Sequence, residues 1–196
     1  MTTHAQTDRP SVYDALKQAV AQALKSSAHT LFFYPIPSVP ARGVRVEISS
    51  ATAAVLSEAL ARVALENSLQ YEVLSETTFT PERVVVKVSV RFATLHVQRV
   101  GEASLAAVTT GTGEMKQNDA AVRTAETRAF KRALEALTGE VLGKWLQFAE
   151  QFAMRHIAPA NAEAERSPSR SERTIVFSNA LSRLFTAHVA QLTKQE

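Results

Sequence analysis

Cysteine is absent from this 196-residue chain. That excludes disulfides, thiolate metal ligands and thiol nucleophiles together. The five histidines, His4, His29, His96, His156 and His188, never fall at a ligand-like spacing such as HxxxH, so a structural zinc site is excluded as well. Glycine occurs only six times, and no glycine-lysine phosphate loop, GxSxG elbow or paired acidic motif is present. The GTG of Gly111 to Gly113 lacks the rest of any nucleotide fingerprint and reads as a turn. The chain therefore reads as non-enzymatic and without a cofactor.

Long hydrophobic runs are missing too. Apolar stretches are broken within a few residues by Lys, Glu, Arg or Gln, and Met1 to Pro10 is polar with no apolar signal core. The expectation is a cytoplasmic protein with no membrane partner. Nor is there a large charge of one sign. The 22 Lys and Arg residues face 19 acidic ones for a net charge of +3, and the isoelectric point is about 9.4. A basic surface must then come from clustering rather than from the total.

What is present is a chain with 45% apolar residues, enough for one ordinary core. Ser11 followed by Asp14 reads as a helix start, and Val12, Leu16, Ala19, Val20, Ala23 and Leu24 recur at helical spacing, which predicts a first helix within 11–27. The segment LFFYPIPSVPARG has three prolines within six residues and reads as an extended connector whose aromatics dock elsewhere. Val44, Val46 and Ile48 alternate as a strand does. Ser49 or Ser50 then caps a helix through about Ser68. Tyr71 to Phe79 alternates, Thr80-Pro81-Glu82-Arg83 is turn-forming, and Val84 to Leu95 is a long β-branched run. A second turn at Arg99 to Glu102 and a third strand over about Ala103 to Thr110 complete a meander.

From Ala120 to about His156 the pattern is helical, with a break predicted near Thr138-Gly139 because glycine weakens a helix by about 1 kcal/mol relative to alanine. The fold class expected is α+β: an antiparallel three- to four-stranded sheet with a β-β-β-α core packed by helices. Residues 1–156 form one domain in this reading, with its core at 42–156. A flexible linker at 157–172, rich in Pro, Ser and charge, precedes an amphipathic helix over 173–196.

Within the meander, Val84, Val86, Val88, Val90 and Phe92 fall on one face, and Lys87 and Arg91 on the other. On the helix that follows, Thr124, Arg128, Lys131, Arg132 and Glu135 share one arc, beside an arc of Ala125, Ala129, Ala133, Ala136 and Leu137. The segment RTAETRAFKRALEALTG, with its basic pair Lys131-Arg132 followed by Ala133-Leu134, resembles the helix after the meander in the Rad-fifty-two-like single-strand annealing family. The order of elements from about Arg42 to Trp145 is similar to that family as well.

The resemblance implies ATP-independent binding of single-stranded DNA and annealing of complementary strands in recombination and repair. It also implies a homo-oligomer, as a ring or open helix, in which the hairpin and the basic helix line a groove for the DNA backbone. The location would then be the nucleoid, with a single-strand-binding protein or recombinase as a further partner. The candidate contacts are Lys131, Arg132, Arg128, Lys87 and Arg91, with Arg99 at the hairpin end and Lys116 in the loop as secondary ones. Glu135, one turn after Lys131, departs from a uniformly basic arc and weakens the local field. The aromatics, including Trp145 and Phe148, read as core or subunit interface rather than base stackers. Leu142, Trp145, Phe148 and Phe152, beyond the core helix, are the candidates for sealing neighbouring subunits.

Two other classes compete. Double-stranded-RNA-binding modules share the order helix, three strands, helix, but GTGEMKQNDAAV offers a single lysine where such modules are basic. An oligomeric scaffold could instead use Ile175, Leu181, Leu184, Phe185 and Leu192 to hold a partner protein without any nucleic acid.

Overall fold

Hydroxyl side chains start the first two helices. Ser11 Oγ accepts the Asp14 backbone N–H at 3.2 Å, and helix α1 follows over Val12–Lys25. Ser49 Oγ accepts the Thr52 N–H at 3.1 Å at the head of α2, Ser50–Glu66. The computed structural model describes residues 11–25, 31–35, 43–106, 108–109, 115–116 and 120–192. Along these run strands β1 (Leu31–Pro35), β2 (Val44–Ile48), β3 (Tyr71–Phe79), β4 (Arg83–Phe92), β5 (Leu95–Ser104), β6 (Val108–Thr109) and β7 (Met115–Lys116). Helices α3 (Ala121–Ala164) and α4 (Arg170–Leu192) complete the order.

The fold is α+β, with an antiparallel sheet in the order β3-β4-β5 and small two-stranded sheets β1-β2 and β6-β7. The expected caps for α3, Asn118 and Asp119, and the loop at Gly111 to Gly113 lie outside the described residues.

By contacts the chain divides into two compact units, Met1–Ala21 with Ser57–Leu137 and Gln22–Leu56 with Thr138–Glu196. The boundary expected at residue 156 does not coincide with this division. The division in α3 falls between Leu137 and Thr138, next to Gly139, whose φ of 43° and ψ of −119° interrupt the helix where the break was expected. Such a left-handed backbone carries little cost for glycine alone.

In the first unit, the alternation of β4 is borne out: Val84, Val86, Val88, Val90 and Phe92 are buried, and the residues between them are not. The turn at Thr80–Arg83 forms as expected, with the Thr80 N–H donating to the Arg83 carbonyl at 2.9 Å. The next turn does not. Phe92 pairs directly with Leu95, so the chain reverses through Ala93 and Thr94, and Ala93 takes a φ of 52°. Nothing in Ala-Thr advertises a tight reversal, because two-residue hairpin loops ordinarily use Gly, Asn or Asp for positive φ. The third strand is consequently β5, eight residues earlier than expected, and Gly101 lies inside it rather than in a turn.

Gly101 is opposite Val86, on the buried face of the sheet. A Cβ built there would run into the carbonyl oxygen of Ala125 and lie 2.7 Å from the nitrogen of Ala129. Helix and strand backbones are thus in direct contact. Ala121, Ala125, Ala129 and Ala133 are buried along the helix face that makes this approach. The Tyr71 phenol closes the start of β3 through a 2.6 Å hydrogen bond with Ser57 of α2, and burial raises its pKa above the usual 10.0.

The second unit corrects the expectation of a linker and a free terminal helix. Residues 157–164 continue α3 through Pro159, and only 165–169 separate it from α4. Ser169 and Glu172 form a reciprocal capping box: the Glu172 N–H donates to Ser169 Oγ, and the Ser169 N–H to Glu172 Oε2. That strong start signal sits inside the polar stretch read as linker. Phe177, Leu181, Phe185 and Val189 of α4 are buried. Ser178 Oγ accepts the N–H of Phe33 in β1 at 3.0 Å, and Glu150 Oε1 accepts that of Val46 in β2 at 3.3 Å.

The aromatics expected to be core or interface pack within the chain. Phe152 meets Phe185 edge-on at 5.4 Å and stacks with the rings of His156 and His188, at 4.1 Å and 5.0 Å. Trp145 meets Phe148, which in turn contacts Phe185 and His188. Leu142 and Phe152 are buried here without any neighbouring subunit.

Two outcomes follow for stability. Gly101→Ala forces helix and strand apart at a backbone contact and should cost about 1–3 kcal/mol, read as a lower urea midpoint with unchanged slope. Truncation after Ala158 exposes the apolar partners of Phe177, Leu181 and Phe185. It should abolish the cooperative unfolding transition of the second unit rather than leave a stable remainder.

Candidate nucleic-acid interface

The close approach at Gly101 aligns α3 with β5. Four residues of helix advance about 6 Å and two residues of strand about 6.7 Å, so side chains one helical turn apart meet strand positions two apart. Arg128 Nη1 donates to the Glu102 carbonyl at 2.7 Å, and Arg132 Nη1 to the Val100 carbonyl at 3.0 Å. β5 is an outer strand of its sheet, so these guanidiniums occupy main-chain acceptors of an edge. Each arginine carries five N–H donors, and one bond to a carbonyl leaves the others for a ligand.

Beside them, Arg83 Nη1 reaches Glu102 Oε2 at 3.2 Å across an exposed pair. Arg83, Arg128 and Arg132 line one open groove of about 780 Å³ together with Glu82, Val100, Glu102, Ala103 and Ser104. Three guanidiniums against two carboxylates leave a modest positive balance. Lys131 is half-buried on the same helix.

Lys87 and Arg91 do not join this groove. They project from the face of β4 opposite its valines, whereas α3 packs on the valine side. Each is also met by the acidic residue directly across on β3. Lys87 Nζ lies 2.6 Å from Glu76 Oε2, and Arg91 Nη1 lies 3.7 Å from Glu72 Oε2. The expected union of helix arc and outward strand face is thereby corrected. The helix cannot face both sides of one sheet, and the glutamates of β3 neutralise much of the outward charge.

Arg99, expected in a turn, sits within β5 opposite Val88, exposed, with its Nη1 on the Gln98 carbonyl at 2.8 Å. Lys116 falls in β7, and its side chain lies outside the described residues. Arg83 was missed, because the turn accounted for it. Its signal is its place at the start of the strand that pairs with Glu102 and Ser104.

Among the described residues, no group of three His, Asp or Glu side chains could hold a metal ion, and no helix is long and apolar enough to cross a membrane. Neither a protein family, nor a curated protein, nor a solved structure matches the chain.

Proposed function

We propose that the chain binds single-stranded DNA along the Arg83, Arg128 and Arg132 groove and anneals complementary strands without nucleotide hydrolysis. The observation that carries this reading is the pair of guanidiniums set one helical turn apart and anchored on main-chain carbonyls of one strand. Anchored arginines form a row with a fixed repeat, which suits a polymer of phosphates better than a compact ligand. Such contacts are independent of base identity and leave bases free to pair. The resemblance of RTAETRAFKRALEALTG to the helix of Rad-fifty-two-like annealing proteins supports the same conclusion.

Lys131, half-buried on the same helix and outside the lining of the groove, is a further phosphate contact in this reading, while Lys87 and Arg91 contribute less than their sequence positions suggest because Glu76 and Glu72 already face them. So few charges per chain favour repetition along the strand, hence a homo-oligomer at the nucleoid that cooperates with a single-strand-binding protein or recombinase. β3, the outer strand opposite β5, leaves Val73, Leu74 and Phe79 exposed, and it is the edge at which copies would adjoin.

The double change Arg128→Ala with Arg132→Ala should weaken oligonucleotide binding and flatten the slope of log affinity against log salt by about 1.4, that is, about 0.7 per phosphate contact. Lys87→Ala should leave both nearly unchanged. Parental affinity, slope and annealing rate in the folded double variant would refute the groove. Light scattering with DNA should give a mass of several chains, and a strictly monomeric mass would refute the assembly.

A further inference from the structure

The second unit has a groove of its own, of about 380 Å³, where β1, the end of α3 and the start of α4 meet. Its walls include Tyr34, Pro35 and Phe177, and its rim carries Arg170 and Arg173 with Glu165. This mixture differs from the Arg128 groove, which has no aromatic residue.

Tyr34 is 37% exposed although it lies in a strand whose neighbours Leu31 and Phe33 are buried. Its ring lies against Phe32, with centroids 4.4 Å apart and the planes tilted by 44°. Arg45 stands directly across on β2. Burial, then the nearby Glu47, raise the Tyr34 phenol above its usual pKa against the opposing pull of Arg45.

Arg170 and Arg173 are three apart on α4 and so share a side of the helix. Arg173 Nε donates to the Ser167 carbonyl at 3.0 Å, which fixes the guanidinium and leaves its terminal nitrogens for another acceptor. An aromatic platform, an apolar floor and two arginines within one nucleotide-sized groove match a ligand with a flat ring at one end and a phosphate at the other.

We propose that this groove is a second contact for a single strand, holding one unpaired nucleotide with its base stacked on Tyr34 and its phosphate on Arg170 and Arg173. The proposal rests on the reading that the chain binds single-stranded DNA, but it uses a different unit and different residues. Stacking accepts any base and adds little to the salt dependence, whereas the two arginines add to it.

The test is fluorescence anisotropy of the full-length chain with a labelled oligothymidine across a salt series. Tyr34→Ala should weaken binding about tenfold at an unchanged salt slope, and Tyr34→Phe should restore it. Arg170→Ala with Arg173→Ala should flatten the slope by about 1.4. Oligonucleotides carrying 5-bromouracil should photocrosslink to the peptide that contains Tyr34. Parental affinity in Tyr34→Ala, a parental slope in the arginine pair and no crosslink at Tyr34 would overturn this site while leaving the Arg128 groove standing. Loss of binding in the Tyr34 and Arg170 variants, with Arg128→Ala and Arg132→Ala silent, would retain this site and sink the other. A wild-type chain that binds no oligothymidine overturns both. Thermal midpoints identify loss of fold, and exposed Arg170 supplies a variant that leaves the core intact.

Discussion

At Gly101 the backbone of β5 touches the backbone of α3 with no side chain between them, and Ala125 and Ala129 supply the other half of that contact. Interiors are packed as densely as organic crystals, so a missing Cβ at one such point fixes the separation of β5 from the part of α3 around Ala125 and Ala129. From that separation follows the reach of Arg128 and Arg132. A helix one methyl group further out would leave their guanidiniums short of the Glu102 and Val100 carbonyls. The valine face of β4, the small-residue face of α3 and the arginine row are one arrangement seen from three sides.

The sequence was most legible where a single period governs a long segment. The alternation of β4, the alanine arc of α3, the caps of α1 and α2 and the break at Gly139 could all be read from side-chain spacing. It was least legible where one residue works against its usual habit. Ala93 turns with a positive φ that alanine seldom adopts, so the hairpin looked longer than it is and Gly101 was read as the turn. The polar stretch after Ala158 has the composition of a linker. Ser169 and Glu172 nevertheless cap a helix whose apolar face is buried, and local capping outweighed composition.

For the site, spacing along α3 correctly grouped Arg128 and Arg132, but it could not show which face of the sheet the helix covers. That depends on Gly101, a residue with no side chain to announce its role. Nor could it show that Glu72 and Glu76 stand opposite Arg91 and Lys87, because cross-strand partners depend on a register set by the turn at Thr80–Arg83. Charge that looks available in one dimension is partly spent in two. The aromatics of the second unit illustrate the same limit: Phe148, Phe152, Phe185 and His188 come together only once α4 folds back.

The arginine bonds along β5 also bear on how the chain avoids its own aggregation. An outer strand with free carbonyls is a template on which another strand can grow, and ten residues is long enough to be a hazard. Here two of those acceptors are occupied by charged side chains from the same chain, and an incoming strand would have to displace both guanidiniums and accommodate their charge. An edge guarded in this way is protected in proportion to how well α3 is folded. Partial unfolding of α3 would therefore release a basic helix and unmask a sticky strand in the same event.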